Sequence, residues 1–197
     1  MEDQLQGTIA PATDEGRVLA TITVAFSSDP VVRWFMRDAD RYLRFWPAFV
    51  MAFAGAGFAA GTVDTIDDHR GVGMWLPPGA GSDEGAIGEV VAEAVPAVQR
   101  DEVDELFEQM GEHHPVDPHY YLPLIGVDPS AQNRGYGSAL LTHALERCDR
   151  DRMPAYLEAT SQQNRALYAR HGFEEIGVIQ AGSAPPLWPM FREPHRG

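Results

Sequence analysis

Basic residues are scarce in this chain. Lys and Arg together number 15 against 29 Asp and Glu, a formal net charge of −14. A nucleic acid or an anionic membrane needs a basic face to bind, so both are argued against as partners. The acidity suits a cationic partner such as an amine, and it equally suits plain solubility. A single cysteine excludes an internal disulfide and fits a reducing compartment. Cys148 falls on the apolar stripe Leu140, Leu141, Ala144, Leu145, so it reads as a small core residue rather than a nucleophile. No uncharged apolar run reaches the ~18 residues that a membrane helix needs; VMAFAGAGFAAG comes closest. The opening MEDQLQGTIAPATDEG is acidic and lacks the basic-then-apolar pattern of a secretion signal, so a cytoplasmic location is expected. His113, His114 and His119 have no acidic or cysteine partner spaced to complete a metal site. No metal is expected, and a polar loop is the reading there.

What is present is enough for a self-sufficient core: 197 residues, 44% of them apolar. The expectation is one domain over 1–197 with a helical elaboration at 84–110. Gly7–Ala10 reads as a short strand, and Thr13 as the cap of a helix through Phe26 that Asp29-Pro30 breaks. Tyr42, Phe45, Trp46, Phe49 and Phe53 recur at helical spacing within Arg41–Ala56, with Pro47 marking a kink. That aromatic stripe, with Trp34, reads as core first and as the border of a pocket second. Gly57–Ile66 and Gly71–Leu76 read as a hairpin around Asp67-Asp68-His69-Arg70. Glu84–Gln99 and Glu102–Met110 are amphipathic helical patterns, with Pro96 at a bend. Tyr120–Val127 reads as a strand, Gly135–Cys148 as a helix and Ala155–Ala159 as a strand. Gln162–His171 then reads as a short helix ended by Gly172, Phe173–Ile179 as a strand, and Leu187–Phe191 as a last strand. Strands alternating with helices in the second half indicate a mixed α/β sheet.

The segment LPLIGVDPSAQNRGYG, Leu122–Gly137, carries the most information. A strand, a glycine-bearing turn and a helix start make an anion site. Amides at a helix N-terminus point outward unpaired, and the helix dipole favours negative charge there. Glycine lets that backbone come close to a phosphate. Q-x-x-G-x-G lacks the Lys-Ser/Thr pair of a nucleotide-triphosphatase loop and the three-glycine placement of a dinucleotide site. Taken alone, a plain glycine turn before a helix also accounts for it.

About twenty residues on stand Leu157-Glu158-Ala159-Thr160, Asn164-Arg165-Ala166-Leu167-Tyr168 and His171-Gly172-Phe173. Over Tyr120–Gly177 this order resembles the GNAT superfamily of acyl-CoA-dependent N-acetyltransferases. Weaker similarity to the puromycin N-acetyltransferase type includes Ala25-Phe26 with Asp29-Pro30, and Trp188, Met190 and Arg192. The resemblance implies an α/β (α+β) GNAT fold. That is a twisted mixed sheet of six or seven strands flanked by helices, with the helical pair added before the cofactor-binding strand. It implies acetyl-CoA as acyl donor and a primary amine, of a small molecule, as acceptor, attacking directly in a ternary complex. The fourth and fifth strands would splay to admit the thioester.

Residue by residue, the resemblance implies that Gln132, Asn133, Arg134, Gly135, Tyr136, Gly137 and Ser138 wrap the pyrophosphate. Arg134 is equally readable as a solvated loop residue. Ile125, Gly126 and Val127 would pair with the pantetheine arm as an added strand, with a backbone N–H near Val127 as oxyanion donor. Asn164 would lie beside the arm, or simply satisfy backbone at a helix start. Tyr168 is the candidate acid. A thiol has a reference pKa of about 8.5 and tyrosine about 10, so neutral tyrosine can protonate the departing sulfur. Packing against the sheet is its bland alternative. Glu158 and His119 are candidate bases, direct or through water. Two rival readings stand beside this one. They are a protein lysine or N-terminal acetyltransferase, and a non-catalytic acyl-CoA-binding sensor. A homodimer is left open.

Overall fold

A computed structural model of the chain describes residues 7–195. Residues 1–6, which open the stretch read for a secretion signal, lie outside the described residues. The first half runs β1 (Ile9–Pro11), α1 (Glu15–Ala25), α2 (Pro30–Phe35), α3 (Ala39–Ala54), α4 (Ala56–Ala60), β2 (Val63–Ile66) and β3 (Gly71–Leu76). The second runs α5 (Glu84–Ala94), α6 (Ala97–His113), β4 (Tyr120–Val127), α7 (Tyr136–Asp151), β5 (Ala155–Ala159), α8 (Gln162–Arg170), β6 (Glu174–Glu175) and β7 (Trp188–Arg192). The seven strands form one sheet in the order β1-β2-β3-β4-β5-β7-β6. Every pairing is antiparallel except β4 with β5. This is the mixed α/β GNAT fold. Among the described residues no helix is long and apolar enough to cross a membrane.

Each face of the sheet has its own apolar layer. Val72, Met74 and Leu124 pack with α1, α2, α3, α5 and α6, while Trp75, Leu122, Leu157 and Met190 pack with α7 and Tyr168. Helix α7 presents Leu140, Leu141, Ala144, Leu145 and Cys148 to the sheet, the stripe seen in the sequence. It is also tied by charge. Arg147 donates to the buried Asp64 carboxylate of β2 at 3.1 Å.

Several boundaries differ from the sequence reading, each for a local reason. Asp14, not Thr13, caps α1, its carboxylate accepting from Arg17 N at 3.1 Å. Asp29-Pro30 does more than end α1: it opens α2. Asp29 accepts from the amides of Val31 and Val32, and Pro30 occupies the first turn, where its missing N–H costs nothing. Gly57–Ala60 is helical rather than strand, because α4 runs on from α3 until Gly61 turns left-handed at φ 66°. Pro47 stays within α3. Val95-Pro96 separates α5 from α6, so the second helix starts at Ala97. The stretch read as a strand over Phe173–Ile179 pairs only at Glu174–Glu175 and at an isolated bridge from Ile179 to Leu187.

One irregularity shapes the sheet's centre. On β3 two steps separate Met74 from Leu76, whereas their partners Leu124 and Tyr121 lie three apart on β4. Strand β4 therefore carries one extra residue at Leu122-Pro123, a β-bulge. Proline suits a bulge because it has no amide to give to a ladder. The extra residue switches the pleat, so Leu122 faces α7 while Leu124 faces the other layer. Pairing with β5 covers only Tyr120 and Tyr121 and stops where the bulge begins.

Beyond the bulge, α1 presses directly on β4. A Cβ added at Gly126 would sit 2.7 Å from Ala25 Cβ and 3.2 Å from Ile22 Cδ1. Gly126→Ala is expected to destabilise the protein by about 1–3 kcal/mol through overpacking. That corresponds to roughly 2–4 °C of Tm per kcal/mol at this chain length. Calorimetry showing an unchanged Tm would contradict this close approach of helix and strand.

Candidate functional site

The gap that opens between β4 and β5 has a cleft on one side and a cavity on the other. The cleft, about 550 Å³, is lined by Phe26, Asp29, Ile125, Gly126, Val127, Gln132, Asn133, Gly135, Tyr136, Gly137, Ser138, Asn164 and Tyr168 among others. Twelve residues assigned to a ligand from the sequence thus include eleven that line one space. Arg134 does not line it and is exposed.

The turn is shaped by its own chemistry. Asp128 accepts from Ser130 N at 2.7 Å and starts a short 3-10 turn over Pro129–Ala131. Asn133 and Gly135 both take left-handed backbone, at φ 60° and 80°, which asparagine and glycine tolerate best. Alternation of this kind turns successive amides inward. Gly135 precedes α7 and no side chain caps that helix, so its first-turn amides are free for an anion. Tyr136 anchors the loop by donating to Asp67 Oδ2 at 2.5 Å. Ser138 Oγ lies 2.7 Å from His171 Nε2.

Tyr168 lies on α8, whose cap Ser161 accepts from Asn164 N at 3.2 Å. The Tyr168 hydroxyl is pushed well above its ordinary pKa, first by burial and then by the Asp29 carboxylate. Asp29 is itself pushed up by burial, against the pull of Thr160 and of two α2 amides. Its bond from Thr160 Oγ1, at 2.6 Å, ties the start of α2 to the residue just after β5. Sequence reasoning saw Asp29-Pro30 as a helix break and missed its place in the cleft.

The cavity on the opposite side, about 990 Å³, is bordered by α5, α6 and the loop before β4. Glu158 and His119 both line it, so the two candidate bases share one space and Tyr168 lies in the other. Strand periodicity explains the division: Leu157 and Ala159 of β5 face α7, while Tyr156 and Glu158 face the other way. Glu158 Oε2 accepts from Tyr121 Oη at 2.8 Å. Its Oε1 and Tyr156 Oη are buried without a hydrogen-bond partner. Burial pushes the Glu158 carboxyl up to about 7, against the lowering influence of Tyr121 and Tyr156.

His114 was read from the sequence as part of a polar loop. It packs edge-on against the rings of Tyr121 and Tyr156, and its Nε2 lies 3.0 Å from His119 Nε2. Burial, then the neighbouring His119, lowers its pKa to about 4, so it is neutral at pH 7. Of the aromatic stripe, Trp34, Tyr42 and Trp46 are buried in the core as expected first. Trp46, Phe49 and Phe53 also border a narrow apolar space of about 70 Å³. That space shares Phe26 with the cleft, and Phe53, Phe107, Met110, Tyr121 and Glu158 with the cavity. Phe107 and Met110 lie on a helix whose amphipathic pattern is legible in the sequence, but that pattern does not say which space its apolar face lines. Among the described residues no cluster of three or more His, Cys, Asp or Glu side chains is placed to hold a metal ion.

Comparison with known proteins agrees with this architecture. Residues 86–175 match the family profile for the acetyltransferase (GNAT) domain. An uncharacterised N-acetyltransferase of Schizosaccharomyces pombe is 26% identical over 207 residues, covering 93% of this chain and 81% of the relative. A Corynebacterium glutamicum structure, described as histone acetyltransferase HPA2 and related acetyltransferase, superposes with a TM-score of 0.69. It is 27% identical over 97% of this chain and 98% of its own. The polyamine N-acetyltransferase of Drosophila melanogaster shares the fold at a TM-score of 0.65, with 13% identity over 95% of this chain and 99% of its own. These similarities support the broad family and not the narrower puromycin type. The stretch similar to the acetyltransferase (GNAT) domain, residues 86–175, takes in β4, the turn before α7 and α8, so it contains most of the cleft.

Proposed function

We propose that the protein transfers an acetyl group from acetyl-CoA to the primary amine of a small molecule, by direct attack in a ternary complex. The observation that carries this reading is the meeting of two spaces at the β4–β5 gap. One offers uncapped amides and an unpaired strand edge; the other ends on a buried carboxylate. Acetyl-CoA would supply an acyl carbon activated by a thioester.

The chain's residues do the rest. Amides of Gln132–Ser138 hold the pyrophosphate, with Arg134 adding positive charge from the exposed side of the turn. Ile125, Gly126 and Val127 pair with the extended arm, and Asn164 stands beside it. A β4 amide near Val127 faces the negative charge that develops on the acyl oxygen. Glu158 takes the proton of the incoming ammonium, since a carboxyl raised to about 7 by burial is matched to neutral pH. His119, on the same cavity, is the second candidate base, acting through water. Tyr168 keeps its proton across the working pH range and gives it to the departing sulfur. The helical pair α5–α6 walls the cavity, which favours a small acceptor over a peptide lying across the sheet. The Drosophila neighbour, a polyamine N-acetyltransferase by name, is a case of this fold serving a small amine.

Tyr168→Phe is expected to lower kcat by about 10²-fold or more, with acetyl-CoA affinity by calorimetry unchanged. Full turnover in that variant would remove Tyr168 from the proton chemistry. Acetyl-CoA binding without any amine turnover in the wild type would instead favour the sensor reading.

Glu158→Gln probes the buried carboxylate through stability. A carboxyl whose folded pKa is about 7 lies above its ordinary value of 4.5. The folded state therefore holds its proton longer, and stability falls as pH rises from about 4.5 to about 7. The glutamine variant is expected to gain Tm relative to wild type at pH 8 and not at pH 4.5. An equal difference at both pH values would contradict a carboxylate buried at a cost.

A further inference from the structure

We infer that the acceptor is an amine with an apolar, aromatic-sized body and no anionic group, and that the cavity's carboxylates enforce the second condition. This rests on the acetyl-transfer reading above and narrows it. The walls of the 990 Å³ cavity are apolar, with Phe53, Ile87, Phe107 and Met110 among them. A short alkylamine would leave such a space largely unfilled, and an apolar body gains by filling it.

Leaving aside the His114–His119 pair, the charged groups on this cavity are all of one sign. Glu158 lines it at the strand gap, and the exposed Glu84, Asp104 and Asp117 line it further out. No arginine lines it, and the chain contains no lysine at all. A carboxylate or phosphate on the acceptor would thus meet like charge with no arginine or lysine to pair it. A cationic amine meets the opposite situation. Glu158 Oε1 is buried and unpartnered at the cavity's inner end, an acceptor that an ammonium can satisfy. The outer carboxylates attract the same charge on approach.

The test compares matched amines in a thiol-release assay with acetyl-CoA: 2-phenylethylamine, phenylalaninamide, phenylalanine and spermidine. Because the chain has no lysine, released thiol cannot come from acetylation of its own side-chain amines. Phenylethylamine and phenylalaninamide are expected to be acetylated, with phenylalanine about 100-fold lower in kcat/KM. Phenylalanine's amine is the less basic of the phenylethylamine pair, so amine ionisation cannot account for that deficit. Asp104→Asn with Asp117→Asn is expected to narrow the discrimination several-fold, since these exposed groups act through charge alone. Phe107→Ala is expected to raise KM for phenylethylamine about 10-fold, leaving KM for acetyl-CoA unchanged. Phenylalanine turned over as well as its amide, or spermidine preferred to phenylethylamine, would overturn the inference while leaving acetyl transfer to small amines standing. Silence toward all four amines, with acetyl-CoA binding retained, would overturn the functional reading itself.

Discussion

The extra residue in β4 at Leu122-Pro123 is the constraint on which the rest of the site depends. A regular β4 would continue its parallel ladder with β5, and the sheet would be sealed at its centre. The bulge ends that ladder after Tyr121 and Tyr156. It leaves the far half of β4 with an edge that no strand covers. Close packing of α1 onto Gly126 holds that half in place, and the β3 ladder holds its other edge. The opening is thus a rigid feature of the sheet, framed by ladders that remain intact on both sides.

Around the opening the charges are divided by the pleat of β5. Residues facing α7 are apolar, while Tyr156 and Glu158 face the other way, Glu158 onto the cavity bordered by α5 and α6. Burial acts on the groups of both sides in the same direction, toward the neutral form. It lifts Glu158 to about 7 and keeps the Tyr168 hydroxyl protonated. An acid that keeps its proton on one side and a base near neutrality on the other suit a reaction that takes a proton from an amine and returns one to sulfur. The start of α7 has no side-chain cap, and the turn before it carries left-handed backbone at Asn133 and Gly135.

Much of this was legible in the sequence because the relevant signals are local. β3, β4 and β5 were bounded correctly by their apolar runs and by the turns that end them. Q-x-x-G-x-G was readable as a glycine-bearing turn before a helix, and Gly135 does take left-handed backbone at the start of α7. What escaped depends on tertiary context. Asp29-Pro30 is a break by its dihedral preference, yet the same pair is a good helix start, and only the chain beyond decides that α2 follows. Gly57–Ala60 has no local preference strong enough to separate strand from helix. Pro123 inside an apparent strand was the available sign of the bulge, but the register with β3 was needed to read it. The His114–His119 pair and the cavity wall of Phe107 and Met110 arise from elements packed together, which periodicity does not report.

Hydrogen exchange on the backbone amides of β4 tests the central claim most directly, with acetyl-CoA replaced by a non-reactive thioether analogue. If the unpaired edge beyond the bulge receives the ligand's extended arm, exchange slows at amides within Leu124–Val127 on binding. The amides of β5 that pair with β7 should change little. Binding that leaves the β4 amides unchanged, and protects another edge of the sheet instead, would contradict the account.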